Sequence, residues 1–131
     1  DFPAVYDKED LVDSVNKLKK LGFHGSPKGN KIPKSKWKKT KVYKRLPAIV
    51  AWILDNANGT CEACRKSSPF VRKKDNTPYL EVHHVRQLKN AGWDTINNAV
   101  ALCPNCHKEA HYGEDNELLS ERLRKIAKLH I

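Results

Sequence analysis

Apolar residues recur at helical spacing at Leu11, Val15, Leu18 and Leu21, and Gly22 follows as a stop, which predicts an amphipathic helix over 7–21. The period then vanishes. Residues 22–41 hold three Gly, two Pro and seven Lys, with Ile32 and Trp37 as the larger apolar residues. Such a stretch reads as an extended linker that orders on a partner. A second helix is expected from Pro47, a favourable first-turn residue, through Ile49, Val50, Trp52, Ile53 and Leu54, ending before Gly59. So dense an apolar run should be buried. Residues 79–85 predict a strand, 90–98 a loop and 99–102 a second strand. Pro104 opens a helix to about His111, and a last helix covers about 116–129, with Leu118, Leu119, Leu123, Ile126 and Leu129 on or near one face. Two strands followed by a helix, flanked by further helices, predict a small α+β fold of one domain plus an appendage: an N-terminal helix and basic arm over 1–40 and a main domain over 41–131.

Charge sharpens this picture. The chain carries 25 Lys+Arg against 15 Asp+Glu, a formal charge of +10. From Ser14 to Leu54 there are 12 basic residues and no acid, so one arm supplies the whole excess. A polyanion is the expected partner, since each neutralised phosphate releases a condensed counterion. A solvated lysine-rich linker is the alternative, and charge alone does not separate DNA from RNA or an acidic membrane surface. No window has about 18 consecutive apolar residues, which excludes a helical membrane span. No secretory signal is visible, so an intracellular, cytoplasmic setting is expected. The chain starts at Asp1 and contains no Met, as expected of a processed chain or a fragment.

All four cysteines fall in two knuckles, Cys61-Glu-Ala-Cys64 and Cys103-Pro-Asn-Cys106. Each turn presents two thiolates, and two turns give the four soft ligands of a structural Zn²⁺. The 38 intervening residues are more than a simple zinc ribbon needs, so a subdomain sits between the knuckles. Two disulfides are the alternative, disfavoured without a secretory signal. The metal would replace hydrophobic core that a small domain lacks.

Four of the six histidines lie in a 29-residue window: His83, His84, His107 and His111. His107 and His111 are four apart on a predicted helix and project from one face, a spacing that can share one metal. His83 and His84 are adjacent on a predicted strand, so their side chains point to opposite faces unless the strand ends there. That division suits a site with one metal ligand and one free base.

With those residues placed, Leu80-Glu81-Val82-His83-His84-Val85, then Asn98-Ala99-Val100-Ala101-Leu102-Cys103-Pro104-Asn105-Cys106-His107 to His111, resembles the HNH endonuclease motif. The zinc-knuckle version, preceded by Ala51-Trp52-Ile53-Leu54 and Gly59-Thr60-Cys61, looks most like the modified-cytosine restriction endonuclease McrA group. The resemblance covers about residues 41–131 and implies a ββα-metal core. It implies His84 as the general base, His83, His107 and His111 as ligands of one catalytic divalent ion, and Asn98 as a catalytic-site residue. Asn98 either orients the base and its loop or binds metal. It also implies a metal-dependent DNA endonuclease of restriction type, from a bacterium or phage. The competing readings are a non-catalytic zinc module that binds nucleic acid, which would not need His84, and a structural zinc domain for protein contacts. Many relatives carry Gly-Gly in the loop where this chain has Asn90-Ala91-Gly92-Trp93-Asp94. Trp93 is expected to cap the core rather than stack on a base.

Neutral imidazole is a sound base near pH 7. Its tautomer has to be fixed, and the Asn98 amide is chemically able to do so. Glu81, two residues before His83 on the same strand face, is a candidate partner for that ring. Three imidazoles admit Mg²⁺, Mn²⁺, Co²⁺, Ni²⁺ or Zn²⁺, and favour the transition ions. Lys34, Lys36, Lys38, Lys39, Lys41, Lys44 and Arg45 on the arm, and Arg86, Lys89 and Lys108 near the site, are candidate contacts to the DNA backbone; Arg65, Lys66, Arg72, Lys73 and Lys74 lie close by. No base-reading element is evident; if modified cytosine is recognised, the recognition domain is expected upstream of Asp1, or the first helix is its last remnant. Cleavage of paired strands would favour a homodimer. The whole reading requires that the rings at 83, 107 and 111 meet, and that the ring at 84 stay unligated and reachable by solvent.

Overall fold

Among the described residues, cysteine-rich turns, a two-stranded sheet and four α-helices follow one another in the order the apolar pattern gives. The computed structural model describes residues 3–131. The chain divides into two units, 1–41 and 42–131. In the first, α1 spans Lys8–Leu21; the Asp7 side chain accepts from Glu9 N at 2.8 Å and caps its start. None of its residues is buried, and Leu11, Val12 and Val15 stay exposed. Residues 22–41 form no helix or strand.

In the second unit, α2 spans Pro47–Ala57, β1 Glu81–His84, β2 Ala99–Leu102, α3 Pro104–Tyr112 and α4 Asn116–Lys128. Pro47 opens α2 where a missing N–H costs nothing. Only Ile53 of α2 is fully buried, and its other apolar residues are half-buried or, like Ala51, exposed. The sheet offers one helix only a narrow contact, so the expectation of wholesale burial is not met. β1 and β2 pair antiparallel, with Glu81 opposite Leu102, His83 opposite Val100 and His84 opposite Ala99. All four residues of β2 are buried, which is why the strand reads as an unbroken apolar run. Ile53, Leu80, Val100, Leu102 and Leu123 are the largest core side chains; burying each contributes about 1.5–3 kcal/mol. On α4, Leu123 and Ala127 face this core, whereas Leu118 and Leu129 are exposed, contrary to the expected stripe. Between the knuckles, isolated bridges pair Thr60 with Ser67 and Val71 with Pro78.

One buried polar link holds both ends of the second unit. Glu62, between the first two cysteines, accepts from Ala101 N at 2.9 Å and pairs with His130 Nε2 at 2.7 Å. His130 Nδ1 lies 2.9 Å from the Ile96 carbonyl. Arg122 of α4 donates to the Ala63 carbonyl at 3.1 Å, tying the last helix to the same knuckle.

Candidate active site

The four cysteines are free thiols, and their sulfurs lie within 4.8 Å of one another. Cys64 and Cys103 Sγ are 4.0 Å apart. A tetrahedral Zn²⁺ with bonds of about 2.3 Å needs sulfurs roughly 3.8 Å apart, so the set fits that ion. Burial works against ionisation of Cys61, but hydrogen bonds from the Cys103, Cys64 and Ala63 backbone outweigh it and bring the thiol down to about 7. Burial pushes Cys103 and Cys106 up. The disulfide alternative is set aside by the free thiols.

His83, at the end of β1, and His107 and His111, one turn apart on α3, converge, each offering a ring nitrogen within 4.8 Å of the others. Their centroids are separated by 5.0–5.1 Å. His107 Nδ1 lies 2.7 Å from Glu81 Oε1, so its Nε2 turns inward, 3.3 Å from His111 Nε2. The outer Nδ1 of His111 lies 3.3 Å from the Gln87 amide nitrogen. An inward nitrogen with the outer one donating to a carboxylate is what a metal centre requires, and His107 has this arrangement; the Gln87 amide nitrogen can only donate, so its contact places the lone pair of His111 on Nδ1. Burial, then the neighbouring rings of His107, His111 and His84, lowers His83 from 6.5 to about 4, so it is neutral and ready to ligate at neutral pH. Burial followed by His107, Lys108 and Lys89 lowers His111 likewise. The three residues expected as ligands are brought together.

Glu81 has a partner, but on a different ring from the one expected: it bonds His107 rather than His83. Glu81 lies opposite Leu102, just before α3, and this brings its carboxylate under the helix. Tyr79 donates to its other oxygen at 2.6 Å. Burial opposes the charge on Glu81, yet Tyr79 and His107 outweigh it and hold the carboxyl below its usual value.

His84 lies outside the triad, as expected. Its ring is less open than expected, with the residue only 8% exposed, because Nε2 is held 2.9 Å from Asp94 Oδ1. It also lines a cavity of about 210 Å³ with Arg45, Val50, Leu54, Arg72, Leu80, Glu81 and Val82. The Asn98 side chain hydrogen-bonds neither His84 nor the triad. It accepts from Arg86 N at 2.9 Å and donates to the carbonyls of Arg86 at 3.0 Å and Trp93 at 2.7 Å, so it locks the loop between the strands. Gly92 is required there, because a Cβ would sit 1.8 Å from the Arg86 carbonyl. With its carbonyl pinned inward, Trp93 points outward and is 75% exposed, against the expectation of a core role. Asp94, Gln87 and Tyr79 are the site residues that sequence reasoning missed. Asp94 was visible only as an acid four residues before the motif asparagine.

Lys89 and Lys108 act on His111 electrostatically and so flank the triad, and the Arg86 side chain bonds the Asn90 carbonyl at 2.8 Å. Arg72 lies 4.4 Å over the Tyr79 ring. Lys34, Lys36, Lys38, Lys39 and Lys41 lie on the exposed segment of the first unit, and Lys44 and Arg45 open the second.

A zinc-type cysteine cluster beside two strands and a helix that gather three imidazoles defines a ββα-metal type of nuclease domain, and the chain carries an HNH endonuclease domain. The family model for HNH endonuclease matches residues 61–113. The chain is 46% identical over 118 residues to the type IV methyl-directed restriction enzyme EcoKMcrA of Escherichia coli (strain K12), a match covering 89% of this chain and 42% of that protein. It is also similar in structure to the type IV phosphorothioation-dependent restriction endonuclease ScoMcrA, with a TM-score of 0.59 and 32% identity over 64% of this chain and 17% of that one. The chain thus spans less than half the length of either relative. No helix among the described residues is long and apolar enough to cross a membrane.

Proposed function

We propose that this chain is the nuclease part of a restriction-type, modification-dependent DNA endonuclease of intracellular bacterial or phage origin. His83, His107 and His111 hold one divalent ion, the four cysteines hold structural Zn²⁺, and His84 is the general base. The observation that carries the reading is the convergence of three imidazoles, with a fourth beside them that joins a carboxylate instead. A purely structural zinc module has no use for the second set. When bound, the divalent ion supplies Lewis-acid stabilisation of charge on the scissile phosphate.

This chain's own residues do the rest. His84 takes a proton from the attacking water. Glu81 holds the His107 ring in place for the ion. Asn98 keeps the loop in the shape that delivers Asp94 to His84. Lys89, Lys108 and Arg86, with the arm residues from Lys34 to Arg45, grip the backbone without reading sequence. Trp93, exposed on the locked loop, offers a flat apolar face to the same duplex. Base recognition belongs to a segment outside the HNH domain, and cutting of both strands is the work of two copies.

The test is cleavage of methylated and unmethylated plasmids across Mg²⁺, Mn²⁺, Co²⁺, Ni²⁺ and Zn²⁺. Cleavage that requires an added ion and disappears in His107→Ala is expected. Cleavage undiminished in that variant would overturn the assignment.

A further inference from the structure

The loop between the strands commits both oxygens of one carboxylate. Asp94 Oδ1 lies 2.9 Å from His84 Nε2, and Oδ2 accepts the Leu46 backbone N–H at 2.7 Å. The carboxylate is therefore oriented from two sides, by the base and by the residue just before α2. The loop that carries it is rigid, with Asn98 making three hydrogen bonds to loop backbone and Gly92 packed on the Arg86 carbonyl. Burial opposes ionisation of Asp94, but the Leu46 amide, His84 and Arg45 outweigh it, so the group is a carboxylate at neutral pH.

An ionised carboxylate can only accept. The proton of a neutral His84 ring therefore sits on Nε2 and the lone pair on Nδ1. Nδ1 has no hydrogen-bond partner among the described residues, and no buried side-chain nitrogen or oxygen among them lacks one, so Nδ1 reaches solvent. That opening reconciles a largely enclosed ring with a role in proton transfer.

Resting on the reading of His84 as general base, we propose that Asp94 is its positioning residue: it fixes the Nε2–H tautomer and makes Nδ1 the atom that takes the proton. The water's oxygen forms the new bond to phosphorus as its proton passes to Nδ1. The bond from phosphorus to the leaving oxygen breaks, and that oxygen takes a proton from solvent. The imidazolium formed at His84 is then paired with Asp94, in the way an aspartate supports the histidine of a serine-protease triad.

Two readouts test this, one of them with no ion at the three-imidazole site. Ring-nitrogen NMR shifts of His84 in the zinc-loaded chain, with no ion added to the three-imidazole site, are expected to show Nε2 protonated and Nδ1 bare. Asp94→Asn keeps the shape and can still accept from Leu46, but turns an NH₂ towards Nε2 and moves the ring proton to Nδ1. Its kcat for plasmid cleavage should fall by roughly 10²–10⁴-fold, the usual worth of a general base. KM and ion binding at the triad should be unchanged, and Asp94→Glu should recover part of the rate. A parent ring protonated on Nδ1 overturns the proposal whatever the variants do. So does an Asn variant that cuts at the parent rate while His84→Ala is inactive, and in that case the base assignment stands. Parent-rate cutting by His84→Ala overturns the base assignment itself, and the role of Asp94 with it.

Discussion

Removing the Glu81 carboxylate should weaken ion binding without unfolding the protein. Its Oε1 holds His107 Nδ1 at 2.7 Å, and this is what aims Nε2 at the ion position, 3.3 Å from His111 Nε2. Its Oε2 receives the Tyr79 hydroxyl at 2.6 Å, and the Tyr79 ring is in turn stacked on Phe70, with centroids 4.6 Å apart, and covered by Arg72. Glu81→Ala frees the His107 ring to rotate and removes a negative charge next to an ion ligand. Loss of such a partner typically costs 10–100-fold in metal affinity, or about 1.4–2.7 kcal/mol. A hydrogen bond to a charged group is worth about 1.5–3 kcal/mol, so the two estimates agree. The contact is only part-buried, which places the effect towards the lower end of the range. Tyr79→Phe keeps the Glu81–His107 contact and should lose less. The assay is a Co²⁺ titration followed by visible absorption, with the cysteine site loaded with Zn²⁺ beforehand. An Ala variant that binds Co²⁺ with parent affinity would refute the idea that Glu81 sets the His107 ring.

Three further outcomes follow from the geometry. Glu62→Ala strands the Ala101 amide and the His130 ring in the core and should destabilise the chain by about 1–3 kcal/mol for each group left unsatisfied; a urea-unfolding loss below about 1 kcal/mol in total would contradict this. Cys61→Ser should lower the bound zinc and unfold the HNH domain, as read by metal analysis and circular dichroism, and a folded, zinc-free variant would refute the structural role. The zinc-loaded chain, with its three-imidazole site empty, should lose stability as pH falls. His83 stays neutral in the fold down to about 4 while the unfolded ring takes a proton near 6.5, so folding weakens between those values. Glu81 and Asp94, whose folded values lie below 4.5 and 3.8, contribute stability that is present above those values and lost as pH falls through the folded ones. A urea midpoint that stays flat as pH falls through the His83 window would contradict this.

The helices and strands were legible because their residues satisfy local rules: Asp7 as a cap, Pro47 and Pro104 at first turns, and the apolar run of β2. The cysteine and histidine sets were legible because metal chemistry fixes their spacing. What escaped was long-range. Nothing in the spacing says that Glu81 meets His107 rather than His83, since that depends on how α3 crosses the sheet. Nothing local says that Asp94 takes the orienting place offered to Asn98, since that depends on a loop folded around Gly92. Trp93 was read as core from its size, but the pinned backbone on either side turns it out. The partial exposure of α2 and α4 has the same origin, because a two-stranded sheet buries less than the apolar count of each helix suggests.

The most direct test is the cleavage rate of a plasmid measured against occupancy of the three-imidazole site as a divalent ion is titrated into the zinc-loaded chain. The rate should start from zero, rise in step with occupancy and level off at one ion per chain beyond the zinc. Full-rate cutting with that site empty, or a filled site with no cutting of any DNA, would contradict the account.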